Sequence, residues 1–259
     1  MTSLTIVLIT AAGMCLAMML LLLAGRRLGA RRLASDPETF KSGSGAVEGA
    51  VFGLMGLLIA FTFSGAAERF DKRRALVVDE ANNIGTAWLR LDLLPETAQP
   101  PLREKFRLYV DARLAFYSKF PNLEAAQSEL IRFTTLQNEI WAGSVAACRD
   151  SGSSPATMLL LPALNQMIDI TTTRTMAARI HPPTVIYAML GLLVLAGSLL
   201  AGYGMAAGKA HHWFHALVFA LVMSFAIYVI LDFEFPRLGL IRINAFDQVL
   251  IDVRQSMNP

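Results

Sequence analysis

Four long apolar blocks dominate this sequence of 259 residues. Three of them contain no charged residue, and the second contains one, Glu48, near its start. A helix needs about 20 apolar residues to cross a hydrocarbon core. A segment that crosses lipid must also satisfy its backbone polar groups internally, which a helix does. The sequence therefore predicts four transmembrane helices, in the blocks Leu4–Ala24, Ala46–Ala67, Thr184–Ala207 and Trp213–Leu231.

The composition agrees with a membrane location. Hydrophobic residues make up 54% of the chain and charged residues 17%, whereas soluble domains are about 25% charged. The net charge of +3 is too small to indicate nucleic-acid binding. The first block is longer than the ~7–15 apolar residues of a signal peptide and has no Lys or Arg before it, so we expect a retained helix. Cys15 and Cys148 do not form a disulfide framework and are expected to be free thiols.

More than a hundred residues of mixed sequence separate the second and third blocks. Apolar residues recur there at helical spacing, and none of the segments alternates with the period of a strand. The second block is expected to continue out of the membrane as one long helix that ends at Leu94-Pro95. Three further helices are predicted. They start at Pro100-Pro101, after an N-cap at Asn122, and at Ser154-Pro155, where Pro162 should kink the last helix or shift its start.

The predicted fold class is thus all-α: an integral membrane protein with four transmembrane helices and a helical-bundle insert between helices 2 and 3. A short amphipathic segment near the C-terminus, capped by Asn244, is expected to lie along the membrane surface or to pack on the insert. The predicted domains are residues 1–67 (helices 1 and 2), 68–183 (the extramembrane helical domain), 184–231 (helices 3 and 4) and 232–259 (the tail).

The sequence contains no recognisable catalytic constellation. It has no phosphate-binding loop, no CxxC pair and no zincin helix. The nearest metal-ligand candidate is the group of His211, His212 and His215, but a metal site needs more ligands and a second shell. Their position beside Trp213, at the start of a span, favours an interfacial anchor. We therefore predict neither an enzyme nor a cofactor nor a bound metal.

The second block carries two different stripes of residues. One consists of small residues at spacings of three or four, which allow helices to pack closely; its members are Gly49, Gly53, Gly56 and Ala60. The other combines a carboxylate with bulky apolar side chains that could line a pore and gate it by dewetting; its members are Glu48, Phe52, Met55, Ile59 and Phe63. The alternative for this second stripe is contact with lipid or a neighbouring helix.

Polar residues also cluster in the predicted extension of this helix, at Asp79, Glu80, Asn82 and Asn83. Because Asn is a weak helix former, we expect these side chains to make hydrogen bonds between helices, and an ion or ligand contact is the second interpretation. The orientation in the membrane stays open, because Lys and Arg flank both the first connection and the insert.

Several segments resemble the bestrophin-like family of bacterial membrane proteins. They include Phe-Thr-Phe-Ser from Phe61, Glu-Arg-Phe-Asp-Lys-Arg-Arg from Glu68, the stretch Val77–Ala87, the helix Tyr109–Tyr117 and the tail Asp232–Ile243. The name of the family reflects a distant likeness to true bestrophins, which are pentameric ion channels whose second span lines the pore. True bestrophins carry an Arg-Trp-Trp type signature after that span, whereas this chain has Arg69-Phe70-Asp71.

The resemblance implies a homo-oligomeric, pentameric ion channel with inorganic ions and the lipid bilayer as partners. It also implies a multi-pass protein of the bacterial cytoplasmic (inner) membrane with the insert in the cytoplasm. Glu48 favours cation conduction. The rival hypothesis is a membrane-anchored interaction or sensory protein that conducts no ions, whose insert would expose an apolar patch for a partner.

Overall fold

A computed structural model describes the protein at residues 3–42, 45–119, 123–208, 213–235, 240–241 and 247–257. These residues form nine α-helices and no strand. The helices are α1 (Ser3–Ser35), α2 (Pro37–Ser42), α3 (Gly45–Leu89), α4 (Gln99–Ser118), α5 (Leu123–Ser151), α6 (Ser154–Arg179), α7 (Thr184–Gly204), α8 (Trp213–Glu234) and α9 (Asp247–Ser256). The prediction of an all-α fold is confirmed.

Among the described residues, four helical stretches are long and apolar enough to cross a membrane, and each contains or overlaps one of the four apolar blocks. They are Leu8–Ser35, Gly45–Leu93, Ser154–Ala207 and Trp213–Glu234. The chain is therefore a multi-pass membrane protein.

The chain divides into two compact units. Unit 1 comprises Met1–Arg69 and His181–Leu240, and unit 2 comprises Phe70–Ile180 and Ile241–Pro259. Helix α3 contributes residues to both units, and it is unbroken because it contains no proline and only one glycine, Gly85, beyond its apolar half. Leu89 is followed by a short 3₁₀ turn, Arg90–Leu93, so the long second helix ends close to the predicted Leu94-Pro95.

Unit 1 is held together by an unusually close crossing of α1 and α7. A Cβ atom at Gly202 would lie 2.1 Å from the carbonyl oxygen of Leu22, and one at Gly25 would lie 2.0 Å from that of Leu199. Only glycine allows two helix backbones to approach so closely. Around this crossing, a core of apolar side chains from α1, α3, α7 and α8 includes Met18, Leu22, Met55, Val194 and Ala220.

Unit 2 packs the end of α3 with α4, α5, α6 and α9. Its fully buried side chains come from each of these helices and include Ile84, Phe106, Ile140, Leu164 and Leu250. Helix α9 is fastened to α4 because Arg254 Nε donates to Asp111 Oδ1 at 2.7 Å and Arg107 Nε donates to the carbonyl oxygen of Met257 at 3.0 Å. The C-terminal helix thus packs on the insert, which was one of its two expected locations.

The structure differs from the sequence-based expectations in several details. Helix α1 continues for three turns beyond the expected end of the first span, and the first connection contains α2. The N-cap of α6 is Ser153, whose side chain accepts a hydrogen bond from the backbone N–H of Ala156, so the cap lies one residue before the predicted Ser154. Pro162 lies inside α6 and does not shift its start. The predicted caps Asn122 and Asn244 lie outside the described residues.

Candidate pore helix

The two stripes of the second span lie on different faces of α3, about 90° apart at 3.6 residues per turn, and they are covered differently within unit 1. Phe52, Met55 and Ile59 face the helices of their own chain: Met55 is 2% exposed, and Phe52 and Ile59 pack around the same core. The ring of Phe52 meets that of Phe219 on α8 edge-on, with 6.4 Å between the centroids. Met55 therefore has almost no surface to offer an ion in the single chain, and Phe52 and Ile59 are half-buried.

The two ends of this stripe are less enclosed. Phe63 is 43% exposed, and its ring lies edge-on to Phe233, with centroids 5.7 Å apart. Glu48 is half-buried, and its Oε2 lies 3.2 Å from the position that a Cβ atom at Gly204 would take. Its Oε1 has no hydrogen-bond partner among the residues that the structure describes.

The small-residue stripe, by contrast, is uncovered. A Cβ atom added at Gly49, Gly53 or Gly56 would meet nothing within 4 Å, and Ala60 is exposed. Phe61 lies beside this stripe and is 67% exposed. In the most apolar window of α3 only 11% of the residues are buried, against 28% in the third and fourth candidate spans. The second span is therefore the least covered of the four by its own chain.

A charged cluster that the sequence analysis did not identify lies in unit 1 where these spans end. Glu234 is fully buried at the end of α8, and its Oε2 accepts hydrogen bonds from Arg69 Nε at 3.0 Å and from Arg69 Nη2 at 2.8 Å. Nδ1 of His181, just before α7, lies 2.8 Å from Oε1 of Glu234, and its ring stacks on Phe235. Arg69 and Glu234 are 165 positions apart in the chain, so only the charge at the end of an apolar block could have indicated a partner.

Unit 2 contains a second buried network, centred on Glu80. This carboxylate is fully buried and accepts hydrogen bonds from Arg113 Nε at 2.6 Å, from the Tyr117 hydroxyl at 3.2 Å and from Arg174 Nη1. The network joins α3, α4 and α6 and contains two guanidinium groups for one carboxylate. Of the other polar residues nearby in the sequence, Asn83 donates to the carbonyl oxygen of Gln166, while Asp79 and Asn82 are exposed.

Burial shifts the titration of the groups around Glu80. It lowers the pKa of Arg113, but the electrostatic interactions with Tyr117 and Glu80 outweigh burial and hold that pKa above its usual range. Burial raises the pKa of Tyr109 well above its usual value. The hydroxyl of Tyr109 accepts a hydrogen bond from Gln137 Nε2 at 3.3 Å. Arg113 and Tyr109 therefore keep their neutral-pH charge states throughout the physiological range.

Within the described part of the chain, no group of three or more His, Cys, Asp or Glu side chains is arranged to hold a metal ion. His211 and His212 lie outside those residues, while His215 lies in α8. Cys15 and Cys148 are both free thiols, as expected.

Comparison with known proteins decides the family. The bestrophin-like domain matches residues 12–245, which is most of the chain. The chain belongs to the bestrophin-like family.

Solved structures share the same fold. A crystal structure of a variant of a bacterial bestrophin homolog from Klebsiella pneumoniae is 14% identical, with a TM-score of 0.71, and the match covers 95% of this chain and 97% of that one. Another structure of the homolog from Klebsiella pneumoniae is also 14% identical, with a TM-score of 0.64 over 93% of this chain and 98% of that one. A crystal structure of a membrane protein variant matches at 13% identity, with a TM-score of 0.71, and the match covers 94% of this chain and 98% of that one. A search of curated proteins finds no match. At such low identity, these likenesses establish the bestrophin-like fold.

Proposed function

We propose that this bestrophin-like protein is a homo-oligomeric ion channel, pentameric by resemblance, in which the second span surrounds the pore. The observation that carries the proposal is the uncovered face of α3. A membrane-crossing helix with this little cover from its own chain has a long face available to other copies or to a central axis.

The apolar interior of unit 1 explains why several copies are needed. Its core is formed by side chains such as Met18, Leu22 and Val194, which offer no polar path for an ion. An ion path therefore requires helices from several copies around one axis. Closed cyclic symmetry is the usual arrangement of identical subunits.

The face of α3 that we place toward the axis is the small-residue stripe. Gly49, Gly53 and Ala60 leave room for helices to approach closely, and Phe61 adds an apolar ring that could narrow a pore by dewetting. The alternative is the stripe with Glu48 and Phe63, which would have to leave its present contacts with α7 and α8. We place the protein in the bacterial cytoplasmic membrane with the insert in the cytoplasm. We expect cations to pass because Glu48 lies at one end of the span, where its carboxylate would raise the local cation concentration at the pore mouth without lining the pore.

Cysteine accessibility distinguishes the two faces. In a background in which Cys15 and Cys148 are replaced by Ala, single Ala60→Cys and Ile59→Cys variants are reconstituted in liposomes and treated with a thiol reagent that carries a charged group. We expect the reagent to reduce cation flux through Ala60→Cys and to leave Ile59→Cys unchanged. Block of Ile59→Cys alone would assign the pore to the other stripe.

The channel itself has its own test. Flux is measured for the unmodified protein across several salts, pH values and voltages, and Glu48→Gln is compared for its reversal potential. A well-folded oligomer with no flux under any of these conditions would refute the channel. Native mass spectrometry that finds only monomers would refute it as well.

The second candidate is a non-conducting interaction or sensory protein. The observation in its favour is an exposed apolar patch on unit 2, formed by Leu89, Met158 and Leu159 and drawn together because Arg90 Nη1 donates to the carbonyl oxygen of Leu159. If Met158→Glu releases a specific protein that co-purifies with the full-length chain, and liposome flux is absent, this candidate replaces the channel.

A further inference from the structure

A groove in unit 1 combines an apolar wall with a cationic end. It is lined by Met19, Leu22, Leu23 and Arg26 of α1, by Met205 in the 3₁₀ turn after α7, and by Trp213 and Ala216 at the start of α8. Six of the seven lining residues are apolar or aromatic. The seventh, Arg26, is half-buried and lies just after the apolar part of α1.

The groove lies at the level where the spans of unit 1 begin and end. Helix α7 ends at Gly204 and α8 starts at Trp213, and Met205 and Trp213, next to these two ends, line the groove together with residues of α1. This arrangement is fixed by the glycine crossing, because a Cβ atom at Gly29 would lie 2.7 Å from the Cβ atom of Ala206. Trp213 is 64% exposed there, and tryptophan is enriched at the boundary between hydrocarbon and headgroups.

The charge at this end of α1 is positive. Arg26 is followed by Arg27 and Arg31, both exposed, and α1 contains no acidic residue. Arg32, farther along the helix, lies 3.8 Å from Asp36. Basic pockets between transmembrane helices are known to hold anionic lipid headgroups.

We propose that this groove is a specific binding site for one anionic glycerophospholipid of the surrounding bilayer. An acyl chain lies along Met19, Leu22 and Leu23, and the phosphate meets Arg26 beside the Trp213 ring. The wall from Met19 to Arg26 spans seven residues of helix, which is about 10 Å. A site of this depth takes part of one chain and places the phosphate at the headgroup level. The proposal does not depend on ion conduction.

The test uses purified full-length protein in detergent, titrated with palmitoyl-oleoyl phosphatidylglycerol or with phosphatidylcholine of the same acyl chains. Bound lipid is counted by native mass spectrometry, and thermal stability is followed in parallel. We expect the anionic lipid to bind more tightly and to stabilise the fold, and soluble glycerophosphate to do neither. Equal binding of the two lipids would overturn the proposal.

Matched variants separate the groove from general surface charge. Arg26→Gln should weaken phosphatidylglycerol binding about fivefold, the effect of one arginine near an anionic headgroup. Arg31→Gln removes the same charge outside the groove and should change binding less than twofold. Equal losses in both variants would mean diffuse attraction and would overturn the site.

A third variant tests the groove by shape. Ala216→Leu keeps every charge and fills the apolar wall, so it should displace the bound lipid. If Arg26→Gln elutes as an aggregate, lipid binding by Ala216→Leu still tests whether the groove is the site. Unchanged lipid binding in a folded Ala216→Leu protein would show that the groove is not the site.

Discussion

The buried network around Glu80 gives the sharpest stability prediction. Glu80 is fully buried, and its partners Arg113 and Arg174 are 1% and 9% exposed. In Glu80→Gln the shape is kept, but the amide nitrogen cannot accept from Arg174 or Tyr117, and two guanidinium charges stay buried without a counter-charge. Removing one partner of a buried ion pair costs about 3–5 kcal/mol.

The arrangement of charge makes a second change informative. Arg174→Gln removes a hydrogen bond to Glu80 and the stacking of the guanidinium 4.1 Å from the Tyr117 ring centroid. It leaves Glu80 paired with Arg113, so the cluster becomes electrically neutral. We expect this variant to lose about 1.5–3 kcal/mol, the usual value for a hydrogen bond to a charged group, and thus less than Glu80→Gln.

Thermal unfolding of the full-length protein in detergent measures this difference. At about 2–4 °C per kcal/mol for a chain of this size, Glu80→Gln should lower the midpoint by roughly 6–20 °C. Hydrogen exchange should show the loss of protection in the peptides that contain Glu80, Arg113 and Arg174. Asp79→Asn is the control, because this neighbouring carboxylate is exposed and its loss should stay within about 0.5 kcal/mol. If Arg174→Gln is as costly as Glu80→Gln, the charge-balance reasoning is wrong.

Two further predictions concern the helix crossing and alkaline pH. Gly202→Ala should destabilise unit 1 by about 1–3 kcal/mol, because its Cβ atom would lie 2.1 Å from the Leu22 carbonyl oxygen. The control is Gly13→Ala, which should not lower the melting temperature because its Cβ atom would meet nothing within 4 Å. Equal losses of melting temperature in the two variants would contradict a close crossing. Because the pKa of Tyr109 is raised above the usual tyrosine value of about 10, its stabilisation is complete below pH 10 and is lost as pH rises further through the folded pKa. Melting temperatures between pH 8 and pH 11 should therefore fall less steeply above pH 10 in Tyr109→Phe than in the unmodified protein; parallel curves would show that Tyr109 does not titrate on unfolding.

Much of the fold follows from local sequence. The four apolar blocks indicate the membrane helices because length and lack of charge are sufficient for a span. The long α3 was predictable because its apolar spacing continues past Arg69 without a proline until Pro95. Helix α2 was missed because its six residues, Pro37–Ser42, carry turn-forming residues that equally suit a loop.

The candidate pore helix shows what a single sequence leaves open. Two stripes of α3 could be separated by helical spacing, but spacing does not say which of them faces its own chain. Packing decides this, because Met55 contacts the position of Gly197 on α7, where a Cβ atom would lie 3.2 Å from the Met55 sulfur. Gly197 is 142 residues away in the chain, so no local sequence pattern around Met55 predicts this contact.

The sequence by itself determined the number of spans and the helical insert, because hydrophobic length and helical period are local properties of a chain, and its segments indicated the family by their resemblance to it. Only the tertiary structure paired Arg69 with Glu234, enclosed Glu80 between Arg113 and Arg174, and formed the groove at Arg26. These contacts join residues that lie far apart in sequence, and their energies depend on distance and burial, which arise only when the helices are packed.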